Sequence, residues 1–433
     1  MEKKPTYEEL VANIADLEAP CLSQDWPNLM VDRAEGVYLY GHDGKRYLDF
    51  LAGFGATNVG HNHPRVIEAA RRQMEKMVHA PMGVIATEAA LRLAYELGKI
   101  TPGGADMFFF SNSGGESVDG ALKLTRYVTG RRAIIGFIGG FHGRTMGGAT
   151  MTTSKSKYRT GQGPFLPDVY FARFPYPYRS SAPDPQACAQ EALDDIERLF
   201  EHVVAPQEVA AFLLEPIQGE GGYIIPPHSW LVALRKLCDQ HGILLVADEV
   251  QTGFGRTGEW FAMQALGVQP DIVCLAKGIA NGFPLGAIGA RKELMSRWGA
   301  ASHGTTYGGN PISCAAALAV LDVIREENLL ENTRQQGDYL LEALGDLQKE
   351  LPLIGDVRGI GLMTAVEFIK PGTKKEPNGE AAGRILRRSL ENGLLMYPCG
   401  HWSQTIRLIP ALTVTRQQVD EGLEIFRKAI LAE

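Results

Sequence analysis

Two short apolar runs, each followed by one charged residue, constrain the fold of this chain most strongly. The run ILLVA at 243–247 is followed by Asp248, and the run DIVCLA at 271–276 is followed by Lys277. Apolar runs of this length are typical of strands that are covered on both faces in a parallel sheet. Because open parallel sheets place their ligands at the carboxyl ends of their strands, the pattern predicts both charged side chains at one binding edge.

Strand and helix patterns also alternate through the middle of the chain. Apolar runs at 107–110, 134–137 and 210–217 are typical of strands. Apolar residues recur at helical spacing within 228–241, and Gly242 follows where a left-handed helix end is expected. This alternation predicts an α/β fold with a parallel sheet whose strands are joined by right-handed crossovers.

The two ends of the chain predict a different kind of structure. Residues 35–50 are expected to form a β-hairpin, and a long helical pattern at 311–347 is followed by further strand and helix patterns. The proline-rich segment 160–187 is too aromatic for a disordered linker, so we expect an ordered surface excursion. The expected division is a large domain and a small α+β domain made from both chain ends: 64–325 for the large domain, 1–63 and 326–433 for the small one.

Composition narrows the class of protein. The 433 residues carry 43 Lys+Arg against 50 Asp+Glu, a net charge of −7, and they lack a basic tract, which argues against nucleic-acid and membrane partners. Six scattered cysteines without a Cys/His cluster predict neither a disulfide framework nor a metal site. The N-terminus lacks an apolar signal region and no apolar run approaches membrane-spanning length, so we expect a cytoplasmic protein.

A glycine-rich turn follows the strand pattern at 107–110. Ser113, Gly114 and Gly115 precede a helix pattern, and Glu116 is placed to complete a capping box with Ser113. The same free amides at a helix N-terminus could bind a phosphate group. Both interpretations stay open, because the turn matches neither of the common glycine-rich phosphate-loop motifs.

Three of these features suit a single cofactor. A charged residue after a strand is, taken alone, most simply a solvated surface charge. A lysine at the end of a buried strand, however, is expected to have a lowered pKa, because burial disfavours its charged form, and its neutral amine is a nucleophile. An amine that bonds to an aldehyde, a carboxylate that pairs with a ring nitrogen and a phosphate cup are what pyridoxal 5'-phosphate requires.

From about residue 30 to its end, the chain resembles the class III, fold-type I, pyridoxal-phosphate-dependent aminotransferases. The group it resembles contains the 4-aminobutyrate, acetylornithine and ornithine aminotransferases, and the resemblance implies their large domain with a mixed, mostly parallel sheet flanked by helices and their small α+β domain. The motifs that carry the resemblance are GHNHP (60–64), SNSGGES (111–117), FHGRT (141–145), LLEPIQGEGG (213–222), LLVADEVQTGFGRTG (244–258), AKGIANGFPLGA (276–287) and GTTYGGNP (304–311).

For the cofactor, the resemblance implies five side-chain roles. Lys277 would form the aldimine and then move the proton between substrate and cofactor, while Asp248 would pair with the pyridinium nitrogen. Phe141 would stack on the ring, His142 would flank it and Gln251 would lie near its phenolic oxygen.

For the substrate, the resemblance implies two arginines, Arg144 and Arg407, whose guanidinium groups bind the carboxylates of dicarboxylic substrates. Glu220 would pair with Arg407 when an ω-amine is bound and release it for glutamate or 2-oxoglutarate. Glu215 would line the pocket beside Arg144. Phe54 stands where 4-aminobutyrate enzymes often carry a smaller residue, which leaves the amine donor open. Each arginine taken alone is also explained by a surface or structural ion pair.

The resemblance also implies how the chain assembles and what it catalyses. Thr306 would reach the phosphate bound by a neighbouring subunit, so the active form would be a homodimer with shared active sites, and pairing of two dimers into a tetramer stays open. The implied reaction moves the amino group of an ω-amino acid similar to 4-aminobutyrate to 2-oxoglutarate. The alternatives are an acetylornithine-, diamine- or pyruvate-dependent ω-aminotransferase, a racemase, aminomutase or decarboxylase on the same fold, and a non-catalytic phosphate-binding module.

Overall fold

The computed structural model of the chain describes residues 5–22, 26 and 29–433. None of the helices in these residues is long and apolar enough to cross a lipid bilayer.

The strands are β1 Val31–Glu35, β2 Tyr38–Gly41, β3 Arg46–Asp49, β4 Met107–Ser111, β5 Ala133–Phe137, β6 Val169–Ala172, β7 Val209–Leu214, β8 Leu244–Asp248, β9 Ile272–Leu275, β10 Gly286–Ala290, β11 Ile354–Ile360, β12 Met363–Phe368, β13 Leu394–Leu395, β14 Tyr397–Cys399 and β15 Thr405–Leu408. The α-helices are α1 Tyr7–Ala12, α2 Ile14–Leu17, α3 Ala52–Gly55, α4 Pro64–Lys76, α5 Glu88–Gly98, α6 Gly114–Thr129, α7 Met146–Met151, α8 Pro185–His202, α9 His228–His241, α10 Ala262–Ala265, α11 Lys292–Met295, α12 Pro311–Glu326, α13 Leu329–Glu350, α14 Gly379–Glu391 and α15 Arg416–Leu431.

A seven-stranded sheet has the strand order β4-β10-β9-β8-β7-β5-β6. Strands β5 to β9 pair in parallel, and β10 runs antiparallel to both of its neighbours, β4 and β9. The sheet is therefore mixed and mostly parallel, which confirms the predicted α/β class. Because β8 and β9 are neighbours, Asp248 and Lys277 follow adjacent strand ends.

Helices cover both faces of this sheet. Successive residues of a strand point to opposite faces, so Leu213 packs in the cluster that contains α6, and Phe212 packs in the cluster that contains α8 and α9. Side chains such as Leu124 of α6 and Trp230 of α9 are fully buried there, and each large apolar side chain of this kind contributes about 1.5–3 kcal/mol. Helix α9 ends at Gly242 in the left-handed conformation, as the sequence predicts.

Two further four-stranded sheets contain the residues from the chain ends, in the orders β1-β2-β3-β13 and β11-β12-β15-β14. Strands β2 and β3 form the hairpin predicted within 35–50. The C-terminal strand β13 then adds to β3 in parallel, with Leu394 opposite Leu48. One sheet is therefore built from both ends of the chain.

The structure differs from the sequence prediction in several places, among them the following. The helical pattern at 311–347 forms two helices, α12 and α13, because Asn328 adopts φ 52° and ends the first run without a glycine or proline to signal it. The segment 160–187 is more than a surface excursion, since its residues 169–172 form β6 at the edge of the central sheet. Strand β11 was not expected, and it pairs with β12.

Candidate active site

The two charged residues predicted at the sheet edge lie at one site. Asp248 is the last residue of β8 and is 5% exposed. Lys277 follows β9, and its backbone φ of 48° lies in the left-handed region, which residues other than glycine seldom adopt. Burial lowers the pKa of the Lys277 amine below 10.5, and the charges of Asp248 and Glu215, which act in the opposite direction, do not offset it. The Lys277 amine therefore loses its proton more readily than the amine of a solvated lysine does.

His142 is the direct partner of Asp248. Its Nδ1 lies 2.8 Å from Oδ2 of Asp248, and its backbone N–H donates to Oγ1 of Thr152 at 2.9 Å. Burial alone would lower the pKa of His142, but the Asp248 carboxylate, followed by Glu215, outweighs it and raises the pKa above 6.5. A protonated His142 donates to Asp248 and supports its negative charge.

Glu215 joins two loops beneath this pair. Its Oε1 accepts a hydrogen bond from the backbone N–H of Phe141, and its Oε2 accepts one from the backbone N–H of Gly219, both at 2.8 Å. Burial raises the pKa of Glu215 to about 7. Since both oxygens bind backbone amides, Glu215 fixes the loop that carries Phe141.

The predicted capping box at the start of α6 forms only in part. The Ser113 hydroxyl accepts a hydrogen bond from the backbone N–H of Glu116 at 3.3 Å, as expected. The Glu116 carboxylate, however, accepts from the backbone N–H of Asn112 at 3.0 Å and not from that of Ser113. The first amides of α6 have no acceptor within the helix, so they are available to an anion.

Close packing surrounds the glycines of this turn. A Cβ atom on Gly143, where φ is 111°, would lie 2.8 Å from Cα of Gly115. A Cβ atom on Gly114 would lie 2.8 Å from the side chain of Val250, two residues after Asp248. Glycine at these positions lets the turn approach both the FHGRT loop and the end of β8.

Gln251 and Phe54 meet on another side of the site. The Gln251 Nε2 donates to the Phe54 carbonyl oxygen at 3.0 Å, and its Oε1 is buried without a hydrogen-bond partner among the residues that the structure describes. A Cβ atom on Gly219 would collide with this Oε1 and lie 3.2 Å from Oε2 of Glu215, which places Gln251 beside Glu215.

The two residues of the predicted substrate switch form an ion pair. Arg407 lies on β15 and is 2% exposed, and its Nη2 is 2.5 Å from Oε2 of Glu220. The guanidinium lies 5.3 Å from the ring centre of Phe54 and 5.6 Å from that of Tyr397. Phe54 connects the pair to the rest of the site, because its ring faces Arg407 and its carbonyl oxygen accepts from Gln251.

Arg144 is exposed and lies over an aromatic ring that the sequence did not single out. Its guanidinium is 4.0 Å from the ring centre of Tyr158, and the Tyr158 hydroxyl donates to Oε1 of Glu220 at 2.9 Å. Lys155 is a second residue without a sequence signal, with Nζ 3.2 Å from the same oxygen. Spacing along the chain does not reveal such contacts, because both residues follow α7 while Glu220 follows β7.

Thr306, predicted to reach the phosphate of a neighbouring subunit, is the last of the predicted cofactor residues. It is exposed in the loop before α12. Its neighbour Thr305 accepts a hydrogen bond from Nδ2 of Asn112 at 3.4 Å, which ties the loop to the turn before α6.

Arg256, within the DEVQTGFGRTG motif, is a structural residue that the sequence analysis passed over. Its side chain is fully buried and donates to Oδ1 of Asn58 at 2.8 Å and to the carbonyl oxygens of Leu362 and Pro410. The contacts join the loop after β8 to segments near both chain ends. Its position within a family motif was the one sequence feature that could have pointed to this structural role.

A cavity of about 520 Å³ lies beside this site. Its walls include Phe174, Tyr176, Trp402 and the buried side chain of Gln218. None of the residues predicted for cofactor or substrate lines it, so we assign the chemistry to the cluster around Lys277.

The donor set fits pyridoxal phosphate. Lys277 offers an amine whose pKa is lowered, Asp248 a buried carboxylate, and the start of α6 a set of amides without helical acceptors. The unpartnered oxygen of Gln251 adds a further polar contact for a ring substituent. The amine suits the aldehyde of the cofactor, the carboxylate its ring nitrogen, the amides its phosphate and the Gln251 side chain its phenol.

Characterised relatives cover nearly the whole chain. The 5-aminovalerate aminotransferase of Pseudomonas putida is 40% identical over 401 residues, 92% of this chain and 93% of the relative. The 4-aminobutyrate aminotransferase of Escherichia coli is 38% identical and covers 92% of each chain. An alanine/serine racemase of Pyrococcus horikoshii is 37% identical, over 93% of this chain and 85% of the relative.

A solved structure has the same fold. The thermostable (S)-enantioselective ω-transaminase of Thermomicrobium roseum superposes with a TM-score of 0.92 at 34% identity, over 99% of both chains. The family model of the class III aminotransferases matches residues 22–430. The chain therefore belongs to the class III aminotransferases, enzymes of fold type I whose cofactor is pyridoxal phosphate.

Proposed function

We propose that this aminotransferase moves the amino group of an ω-amino acid, of the size of 4-aminobutyrate or 5-aminovalerate, to 2-oxoglutarate. The ion pair between Glu220 and Arg407 beside Lys277 carries the proposal. An enzyme that accepts both an amine without an α-carboxylate and a dicarboxylic acid needs an arginine whose charge is neutralised in one case and exposed in the other. The substrates named for the Pseudomonas putida and Escherichia coli relatives support the same class.

Lys277 carries the proton chemistry in this proposal. Pyridoxal phosphate, when bound, supplies an aldehyde that takes up the amino group and a ring that accepts the electron pair released at the amine-bearing carbon of the substrate. Lys277 would hold the cofactor through its ε-amine until the substrate amine replaces it. Because burial lowers the pKa of the Lys277 amine, the released amine could take the proton from the amine-bearing carbon of the substrate and deliver it to the cofactor carbon that receives the amino group.

Other side chains would hold the ring in place. Asp248 would pair with the ring nitrogen, and His142, which donates to Asp248, supports that charge. The Phe141 ring would cover one face, since Glu215 fixes the Phe141 backbone. The amides of Ser113, Gly114 and Gly115 would bind the phosphate, and Gln251 would contact the phenolic oxygen.

Two arginines would distinguish the substrates. Arg144 would bind the carboxylate that both substrates share, at the end far from the reacting amine. Arg407 would bind the α-carboxylate of 2-oxoglutarate or glutamate, and Glu220 would neutralise Arg407 when an ω-amine occupies the site. Phe54 packs with Tyr397 at a ring distance of 5.1 Å and would form the apolar wall along the substrate chain.

The proposal includes an assembly and a division of the chain. The protein would act as a cytoplasmic homodimer in which the exposed Thr306 reaches the phosphate in the partner's active site. The chain would divide into a large cofactor domain and a small domain from both ends, with the ranges 64–325, 1–63 and 326–433.

The test follows each half-reaction separately by the absorbance of the bound cofactor. We expect 4-aminobutyrate and 5-aminovalerate to convert it to the amine form, and 2-oxoglutarate to reverse the change far faster than pyruvate does. Arg407→Ala should slow the 2-oxoglutarate half-reaction by roughly ten- to a hundred-fold, the size of a charge-assisted hydrogen bond, and change the ω-amine half-reaction less than about three-fold. Equal losses in both halves, or equal rates with pyruvate, contradict the proposal.

A racemase is the second candidate, since one relative is an alanine/serine racemase. Such an enzyme interconverts the two enantiomers of an amino acid and accumulates neither a keto acid nor the amine form of the cofactor. Chiral chromatography of alanine and serine incubated with the protein, beside an assay for keto products, separates the two activities.

A further inference from the structure

Glu220 is held by more than the arginine of the proposed switch. Its Oε2 faces Nη2 of Arg407 at 2.5 Å, while its Oε1 accepts from the Tyr158 hydroxyl at 2.9 Å and lies 3.2 Å from Nζ of Lys155. The Lys155 side chain is 10% exposed. Each oxygen of the carboxylate thus has its own cation.

The two cations share this one carboxylate. Within the described residues, Glu220 is the acidic group at ion-pair distance from both Arg407 and Lys155. Lys155 otherwise contacts Oγ of Ser403 at 3.3 Å. Burial alone would raise the pKa of Glu220, but Arg407 and then Lys155 outweigh it and keep that pKa low. Both cations therefore favour the charged form of Glu220.

We propose that Lys155 is the second counterion of Glu220 and retains the carboxylate when Arg407 turns to the carboxylate of a substrate. Lys155 is then a positioning residue that sets how well the enzyme binds dicarboxylic acids relative to monocarboxylic ones. The inference rests on the proposed function, in which Arg407 binds the second carboxylate of 2-oxoglutarate.

The geometry makes this exchange a small movement. Of the contacts of Glu220, only the one between Oε2 and Arg407 has to break, because Oε1 is already held by Lys155 and Tyr158. A buried carboxylate that lost its sole cation would be strongly disfavoured, so an enzyme without Lys155 would keep Arg407 paired with Glu220. The ring of Tyr158 lies against Arg144, so the same residue also connects the two substrate arginines.

The test measures binding rather than turnover. Calorimetry on the cofactor-loaded enzyme gives the dissociation constants of glutarate and pentanoate, five-carbon acids with two carboxylates and one, neither of which can react. Lys155→Met should raise the dissociation constant of glutarate about ten-fold, in the range of coupling between neighbouring charged groups, and change that of pentanoate less than about two-fold. Lys155→Gln, which keeps a polar side chain, is the second variant should Met unfold the protein, and Lys155→Arg should restore glutarate binding.

Two controls isolate the role of the charge. Lys236→Met removes an exposed lysine of α9 and should leave both constants unchanged. In a Glu220→Gln background, Lys155→Met should change the glutarate constant less than about two-fold, because no carboxylate is left to hold. An equal loss in both backgrounds would show that Lys155 attracts the ligand directly, and equal losses for both acids would show a merely structural role; either result overturns the inference.

Arg407→Ala separates this inference from the proposed function. If Arg407→Ala weakens glutarate binding and neither Lys155→Met nor Lys155→Gln does, the inference alone is wrong. If Arg407→Ala leaves glutarate binding unchanged, Arg407 does not bind the second carboxylate, and the proposed function fails together with the inference.

Discussion

Nδ1 of His142 and Oδ2 of Asp248 are 2.8 Å apart, and both residues are buried, with exposed fractions of 3% and 5%. The second oxygen of Asp248 accepts from the backbone N–H of Val250 at 3.1 Å. Both oxygens of the carboxylate are therefore oriented before any ligand binds. The pairing joins the FHGRT loop to the end of β8, so one contact fixes two of the segments that would hold the cofactor.

Replacement of Asp248 by Asn should lower the pKa of His142. Burial acts to lower that pKa, and the Asp248 carboxylate is the main group that raises it above 6.5. NMR titration of labelled histidine in Asp248→Asn should place the pKa of His142 below 6.5, with transamination at least about a hundred-fold slower. A His142 that still titrates above 6.5 would show that another group holds its proton.

Lys277→Ala should abolish transamination, because no other amine would hold the cofactor or move the substrate proton. Borohydride reduction of the loaded wild-type protein, followed by peptide mass mapping, should find the cofactor attached to the peptide that contains Lys277. Lys277→Ala should carry no attached cofactor after the same treatment, while its melting curve shows a folded protein. Attachment to a different lysine would refute the assignment.

Glu249 should make stability fall as the pH rises. It is fully buried, and burial raises its pKa from 4.5 to about 7 despite hydrogen bonds from Thr252 and from the backbone amides of Met263 and Ala262. Between these two values the folded state binds the proton that the unfolded state has lost, so the contribution of this carboxyl is complete below pH 4.5 and is lost towards pH 7. Each pKa unit corresponds to about 1.4 kcal/mol, which gives a loss of up to about 3 kcal/mol.

Urea unfolding of wild type and Glu249→Gln across pH 4.5–7 checks this pH dependence. Glutamine cannot ionise, so the free energy of unfolding of the variant should fall less steeply over this range than that of wild type. Parallel curves would mean that Glu249 is ionised throughout.

Gly143→Ala should destabilise the fold and weaken cofactor binding. Its φ of 111° is unfavourable for alanine, and the new Cβ would lie 2.8 Å from Cα of Gly115, which is backbone and cannot move aside without shifting the phosphate turn. We expect a loss of at least about 2 kcal/mol in the free energy of unfolding, together with weaker binding of the cofactor in a fluorescence titration.

A matched control for this variant is Gly345→Ala. Gly345 lies within α13, and beyond the helix's own backbone a Cβ atom there would have no atom of the described residues within 4 Å. Alanine should stabilise the helix by up to about 1 kcal/mol and leave cofactor binding unchanged. A Gly143→Ala variant as stable as Gly345→Ala would show that the turn can relax.

Much of the architecture follows from local patterns in the sequence. The apolar runs before Asp248 and Lys277 predict two strands of one sheet with both residues at one edge, and Gly242 predicts the end of α9. The break between α12 and α13 did not follow, because Asn328 ends the helix through its backbone conformation without glycine or proline. Local patterns show which segments are buried and where they end, and this is enough to place residues at the carboxyl edge of a parallel sheet.

The contacts around Glu220 could not be predicted in the same way. Lys155 and Tyr158 reach it from a segment about 60 residues away in sequence, and hydrophobic periodicity contains no information about which polar side chains meet across such a distance. Motifs predicted the roles of Lys277 and Arg407. The contacts of Lys155 and Tyr158 with Glu220 became visible only in the structure.

The pairing of β13 with β3 sets an order of events during synthesis. Strand β3 leaves the ribosome long before the neighbour that covers its outer edge, which contains Leu394 and Leu395. Since nascent segments fold as they emerge, β1 to β3 have one unpaired edge while the central sheet is made. That open edge can pair with other chains until residues 394–395 have been made, so nascent chains stalled before residue 394 would aggregate more readily than chains that contain β13.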